Sequence, residues 1–212
     1  MGERLLMAIR DGGLRRPVWL YHHWAGTEAG YLHMVGEVWV KDKPTNATDW
    51  VKGLLNRNER MEIANEWHDY NYLGAILVGY GVTYVAWVPM DSRNWGSYYD
   101  YSDIHEKFEK MRRYKEQFIR AVNSETYPKG TIDELEKVVK SVNYYRWYVL
   151  TNGHVEDALP LLRRALELRE GQLEQMRQWE DMPEYYLQAL EKTIAEIKEL
   201  IRVAEHGGVE ED

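Results

Sequence analysis

The stretch Leu73-Gly74-Ala75-Ile76-Leu77-Val78-Gly79-Tyr80-Gly81-Val82-Thr83-Tyr84-Val85-Ala86-Trp87-Val88-Pro89 carries the densest apolar pattern in the chain. Its second half, from Val82 to Val88, reads as the clearest strand of the protein. β-Branched and aromatic residues dominate it, and Pro89 closes it. In its first half Leu73, Ile76, Leu77 and Tyr80 fall at helical spacing and extend a similar series at Met61, Ala64 and Trp67 or His68. The spacing predicts a helix that begins near Asn58 and stops at Gly81, although Gly74 and Gly79 count against it.

Toward the N-terminus, Arg4-Leu5-Leu6-Met7-Ala8-Ile9 is apolar and ends at the turn signal Asp11-Gly12-Gly13. Pro17-Val18-Trp19-Leu20-Tyr21-His22-His23-Trp24 follows, so the two runs predict a hairpin. Gly26 and Gly30 bracket a turn, and residues 31–40 predict a short helix with Leu32, Val35, Val38 and Trp39 on one side. Residues 41–58, with Pro44, Asn46 and Asp49, read as loop. Beyond Pro89, residues 91–96 read as a turn and 97–101 as a last strand. The order β-β-α-α-β-β predicts an α+β fold, a small antiparallel or mixed sheet with helices on one face.

From residue 102 the pattern is helical. Asp103 is placed to cap a helix carrying Ile104, Phe108, Met111, Phe118 and Val122. Thr131-Ile132-Asp133-Glu134 has the form of a capping box. It would open a helix with the stripe Leu135, Val138, Val142, Tyr145 and Val149, stopped by Asn152-Gly153. A third helix from about Asp157 tolerates Pro160 in its first turn. A fourth shows Leu187, Leu190, Ile194, Ile197, Ile201 and Ala204 at heptad spacing. The short connection at Asp181-Met182-Pro183-Glu184 makes these two a long antiparallel hairpin closing an all-α helical bundle. The expected organisation is thus an aromatic-rich α+β domain over 1–101, a helical bundle over 102–206 and an acidic tail over 207–212.

Composition narrows the function. With 44% hydrophobic and 29% charged residues the chain has ordinary globular usage, and no stretch approaches the ~20 apolar residues of a membrane span. No signal-peptide pattern opens the sequence, so the expected compartment is the cytoplasm. Zero cysteines exclude disulfides, thiol catalysis and thiolate metal sites. Few Cys and Gln beside many ion-pairing residues is the composition of a heat-adapted protein. Net charge is −8, with 10 basic and 12 acidic residues among the first hundred and 17 and 23 in the remainder. An acidic chain without a basic block is a poor match to non-specific DNA binding, which depends on Lys and Arg displacing counterions. The charge has the sign of a DNA mimic but is modest for one.

The candidate chemistry gathers around Leu20-Tyr21-His22-His23-Trp24-Ala25-Gly26. Neighbouring strand residues face opposite sides, so only one of His22 and His23 can face a given pocket. With His33, His68 and Asp69 they form the candidate metal set, since imidazole and carboxylate suit zinc, iron or manganese. No HExxH or HxH spacing marks such a site, and no cofactor is expected. Ser92, Ser97 and Ser102 lie in no nucleophile elbow. Residues 74–81 lack the Gly-Lys-Ser/Thr ending of a phosphate loop. Seven of the nine Trp and nine of the sixteen Tyr lie in residues 1–101, whereas the chain holds two Phe. Rings with one polar end suit a boundary such as a ligand groove, a protein interface or a base-stacking platform. Tyr21, His23, Trp24 and Trp87 are the ligand-binding candidates on that basis.

The same stretch resembles the I-Y-R-H-W-D-G-Y-P signature of an uncharacterised family of small proteins common in phages and other mobile elements. Met1-Gly2-Glu3-Arg4 is similar to the M-G-T-R start of that family, and the elements over residues 73–101 follow in similar order. The likeness covers about residues 1–102. His23, Trp24 and Gly26 match. Ala25 stands where the family has Asp, and Thr27-Glu28 where it has Tyr-Pro, so no role of that Asp carries over. The resemblance implies a mobile-element setting and no particular activity. Joined to the heat-adapted composition, it makes an archaeal virus or plasmid the expected source. The function expected first is a non-enzymatic accessory protein acting through protein-protein contacts, with the C-terminal helices holding a partner or a second copy. A metal- or small-ligand-dependent enzyme using His22, His23, His68 and Asp69, and a nucleic-acid binder with an aromatic stacking surface, are the alternatives.

Overall fold

The computed structural model describes residues 2–90 and 104–207. The turn expected at 91–96, the strand expected at 97–101, Asp103 as a cap, and the tail beyond 207 lie outside them. Among the described residues, β1 (Leu5–Arg10) and β2 (Val18–His22) form the expected N-terminal hairpin, with Leu6 opposite Tyr21 and Ile9 opposite Val18. Helix α1 (Glu28–Asp42) follows, its first turn capped by the Thr27 hydroxyl, which accepts from the Gly30 amide.

Residues 41–58, expected as loop, contain helix α2 (Ala47–Arg57). The residues read as loop formers are its cap. The Asn46 side chain accepts from the Asp49 amide at 2.9 Å and donates to the Asp49 carboxylate at 2.8 Å. Ala47, Trp50, Gly53 and Leu54 are its buried face.

The largest departure from expectation falls on residues 58–81. No helix runs from Asn58 to Gly81. Instead β3 (Met61–Ile63) pairs with β2, and β4 (Tyr72–Gly79) pairs in parallel with β1. A two-residue turn, Tyr80-Gly81, then leads into β5 (Val82–Pro89), with Gly79 opposite Val82. Both turn residues have positive φ, 55° and 75°, as a hairpin turn twisted with its strands requires. The misreading has a physical cause. Leu73 to Val78 are buried at every position, so β4 shows no polar alternation and its apolar run imitates a buried helix.

After β5 the chain forms α3 (Ile104–Val122) and α4 (Lys129–Lys140). Thr131 does not cap α4; its hydroxyl donates to the Ser124 carbonyl at 3.2 Å, and the helix opens on Pro128. The stripe expected to run on to Val149 breaks after Lys140, because Arg146–Thr151 is strand β6, paired with β5. The β-preferring run Trp147-Tyr148-Val149 overrides the helical spacing there. A short 3₁₀ turn (Val155–Ala158) then leads to the closing antiparallel hairpin of α5 (Leu159–Arg177) and α6 (Glu184–Glu205).

The six strands among the described residues form one mixed sheet in the order β3-β2-β1-β4-β5-β6. The α+β class, the mixed sheet and the closing helical hairpin stand. Helices, however, cover both faces. Leu5, Met7, Ile9, Leu20, Ile76, Val85 and Trp87 face the layer of α1, α2, α5 and α6. Leu6, Ala8, Trp19, Leu73, Ala75, Ala86 and Val88 face α3 and α4. A sheet buried on both faces needs two covering layers. Residues 104–206 are therefore not an all-α unit: they supply strand β6, the α3–α4 layer and, through α5 and α6, part of the other layer, and the first core joins Leu5 with Leu161 and Ile197. Of the heptad stripe of α6, Leu190, Ile194, Ile197 and Ala204 are buried inside the chain and Leu187 and Ile201 partly so, while Leu200 beside the stripe is buried as well.

Candidate functional site

The end of the sheet where β1 begins and β2 finishes brings together most of the residues expected to carry chemistry. Tyr21 sits near the end of β2, and its hydroxyl lies 3.0 Å from Nδ1 of His23. The His68 ring packs on the Tyr21 ring with centroids 4.2 Å apart, and His23 meets Trp24 edge-on at 4.7 Å. Four rings thus form one ladder, His68–Tyr21–His23–Trp24. It starts beside Glu62, whose carboxylate is 3.9 Å from Nε2 of His68, and ends on Trp24, which is 48% exposed. Asp69 flanks the ladder through its ion pair with Arg4.

Two glycines let the loop close over the start of β1. A Cβ on Gly2 would come within 2.6 Å of the His23 ring, and one on Gly26 within 2.5 Å of the Glu3 carbonyl. The Gly26 amide donates to that same carbonyl at 2.8 Å. Any side chain at position 26 would push the His22–Gly26 loop off the sheet end.

His22 takes no part in the ladder. It points to the other side of β2, is buried, and its Nδ1 accepts from the amides of Trp24 at 3.0 Å and Ala25 at 2.9 Å. Nδ1 must be unprotonated to accept both. Burial first, then the nearby Arg60 and His23, hold its pKa below the ordinary 6.5. Such a group contributes stability that is complete above about pH 6.5 and declines as pH falls from there toward its folded value. His22→Asn, whose side-chain oxygen can accept the same amides, is expected to remove this decline. Parallel denaturant titrations of both proteins from pH 8 to 5 measure it; curves that stay parallel would refute the assignment.

Trp87 is likewise structural. It is 3% exposed, its indole N–H donates to the Gly26 carbonyl at 2.8 Å, and its ring stacks on Tyr72 at 5.7 Å. It supports the ladder's loop from beneath. His33 lies on α1 in the helix layer, away from the ladder, and its pKa is lowered mainly by burial. Among the described residues no three of His, Asp and Glu gather as a metal ion would require.

The structure adds neighbours that the sequence did not single out. Lys115 of α3 reaches back to the loop before β4: Nζ sits 4.0 Å above the Tyr70 ring and 3.5 Å from the His68 carbonyl. Burial pushes its ammonium down to about 8, against the opposing pull of Glu66. On the other face of the sheet, Glu28 opens α1 and is 7% exposed. Its carboxylate accepts from the Tyr144 hydroxyl, from Arg146 and from Arg164, the last at 2.8 Å. Burial by itself would raise its pKa; the hydrogen bonds from Arg164, Tyr144 and Arg146 outweigh that and hold it below the ordinary value. These partners lie 116 to 136 residues away in sequence, so no local motif could announce them.

Comparison of the chain with protein-family models, with curated proteins and with solved structures found no match. No described helix is long and apolar enough to cross a membrane.

Proposed function

We propose that this is a non-enzymatic accessory protein that recognises a protein partner through the aromatic end of its sheet. The observation that carries the reading is the ring ladder itself. Trp19, Trp39, Trp50 and Trp87 fill the two cores, yet Trp24 is 48% exposed at the ladder's end, and Trp67, one residue from His68, is 71% exposed. Leaving an indole in water forgoes much of the stabilisation its burial would give, and large amphipathic rings are the groups that anchor protein interfaces. The resemblance of residues 20–26 to mobile-element proteins supports a setting in a virus or plasmid.

The test is affinity capture from the native host with the wild-type protein and with Trp24→Ala. The exposed indole is expected to be dispensable for folding, so the variant should keep its circular dichroism and Tm while losing the captured partner. Retention of every partner at wild-type yield would overturn the proposal. The Tyr21–His23 hydrogen bond supports a second reading, a small ligand that exchanges a proton with this pair. Tyr21→Phe separates the two, since it keeps the ladder's rings and removes the hydroxyl. Undiminished partner capture by Tyr21→Phe supports recognition by the rings.

A further inference from the structure

The far end of the α5–α6 hairpin stands apart from both sheet-covering cores. Its own small cluster holds Leu173, Leu190 and Ile194, with Leu166, Met176 and Leu187 packed against them. Beyond that cluster a crevice of ≈ 450 Å³ opens between the helices, lined by Gln172, Gln175, Met176, Trp179, Met182 and Tyr186. Trp179 is 64% exposed and Tyr186 50%. Tyr185, 61% exposed, packs on Tyr186 with ring centroids 4.2 Å apart. Met176, Met182, Trp179 and Tyr186 thus line a surface opening, with Tyr185 beside it, and the two lining rings are at least half exposed. Methionine and large aromatic side chains together make an adaptable apolar seat for another chain.

Charge says what kind of chain. Arg177, the basic residue at this end of α5, is already neutralised by Glu191 at 2.6 Å. Next to the lining residues Trp179 and Met182, the exposed Glu180, Asp181 and Glu184 form no ion pair among the described residues. The rim of the crevice is therefore acidic and uncompensated. A second copy of this chain, at net charge −8, would bring like charge to it, as would an anionic membrane surface.

We propose that the hairpin tip is a docking site for a basic amphipathic helical segment of a partner protein. One apolar side chain of that segment enters the crevice against Met176, Trp179 and Met182. Its flanking lysines or arginines meet Glu180, Asp181 and Glu184. This site lies on the closing hairpin, separate from the ring ladder, and stands or falls independently of it. Apolar anchoring gives the affinity, and the acidic rim gives the preference for positive charge and a dependence on salt.

Isothermal titration calorimetry of the full chain tests this with two synthetic 18-residue amphipathic peptides, one of leucine and lysine, the other of leucine and glutamate. The leucine-lysine peptide is expected to bind with micromolar affinity, the leucine-glutamate peptide at least tenfold more weakly. Trp179→Ala combined with Met182→Ala should weaken the first complex by tenfold or more. Glu180→Gln, Asp181→Asn and Glu184→Gln together should weaken it and flatten its salt dependence. All changed side chains lie at or near the surface, and an unchanged circular dichroism spectrum and Tm confirm that the variants fold. Equal binding to the Trp179→Ala/Met182→Ala variant would show that the peptide sits elsewhere on the acidic surface and would overturn the proposal. So would absence of binding, equal binding of both peptides, or a wild-type dimer that Trp179→Ala dissolves.

Discussion

Arg10→Met is expected to lower the Tm by roughly 10 °C, the response of a chain this size to the loss of about 3 kcal/mol. Arg10 is 3% exposed at the end of β1, yet among the described residues it has no carboxylate partner. Its guanidinium donates to four backbone carbonyls instead: Leu14 at 3.2 Å, Arg15 at 3.0 Å, and Val122 and Ser124 both at 2.8 Å. It also lies 4.7 Å above the Tyr127 ring, whose hydroxyl donates back to the Arg10 carbonyl. One planar fork therefore ties the first hairpin to the end of α3. Methionine fills much of the same space and satisfies none of these oxygens, so carbonyls are left buried without donors, each at a cost of about 1 kcal/mol or more. Arg10→Lys should recover only part of the loss, because an ammonium is a point donor and cannot span four carbonyls. Denaturant unfolding of the three proteins measures this; a loss below about 1 kcal/mol for Arg10→Met would mean that water replaces the fork.

Glu28→Ala is expected to cost about 3 kcal/mol, for the opposite electrostatic reason. Here a buried carboxylate holds two arginines, Arg146 from the start of β6 and Arg164 from α5, and its removal leaves two cations facing each other. Their side chains are 24% and 27% exposed, so water relieves part of the repulsion and keeps the cost at the lower end for a broken buried pair. Glu28 sits in the first turn of α1, where a negative charge also meets the positive end of the helix dipole. Its pKa is depressed in the folded state, so the stability it contributes is complete above its ordinary 4.5 and is lost as pH falls through the lower folded value. Glu28→Gln, which cannot titrate, should be less stable than wild type at pH 7. It should converge on wild type as both are acidified from pH 4.5 downward through the lower folded value. A constant gap between the two curves down to pH 2 would rule out this linkage.

Both centres show where local reading ends. The N-terminal hairpin, α1 and the two closing helices were legible because each has a pattern written within a dozen residues or so: a turn signal, an amphipathic stripe, a heptad. Residues 73–81 were not, because a strand buried on both faces loses the alternation that distinguishes it. Nor was α2, whose cap residues Asn46 and Asp49 look like loop formers. At the site, Tyr21, His23, Trp24 and His68 were singled out from residue type and do converge. His22 and Trp87 were singled out on the same grounds, but their polar atoms serve the backbone of the Trp24–Gly26 loop. Strand alternation allowed only one of His22 and His23 into the site, and the register of β2 decided that it was His23.

The sequence by itself determined the α+β class, the ends of its best-patterned elements and the closing hairpin, because propensity, capping and periodicity act over short distances. Tertiary structure alone decided that residues 73–79 are a strand, that β6 joins a sheet begun some 140 residues earlier, and that helices cover both faces. It alone assembled Arg10 with Val122, Glu28 with Arg164, and Lys115 with His68. Burial on two faces and charge pairing across more than a hundred residues are properties of the packed chain, and no local stretch of sequence carries them.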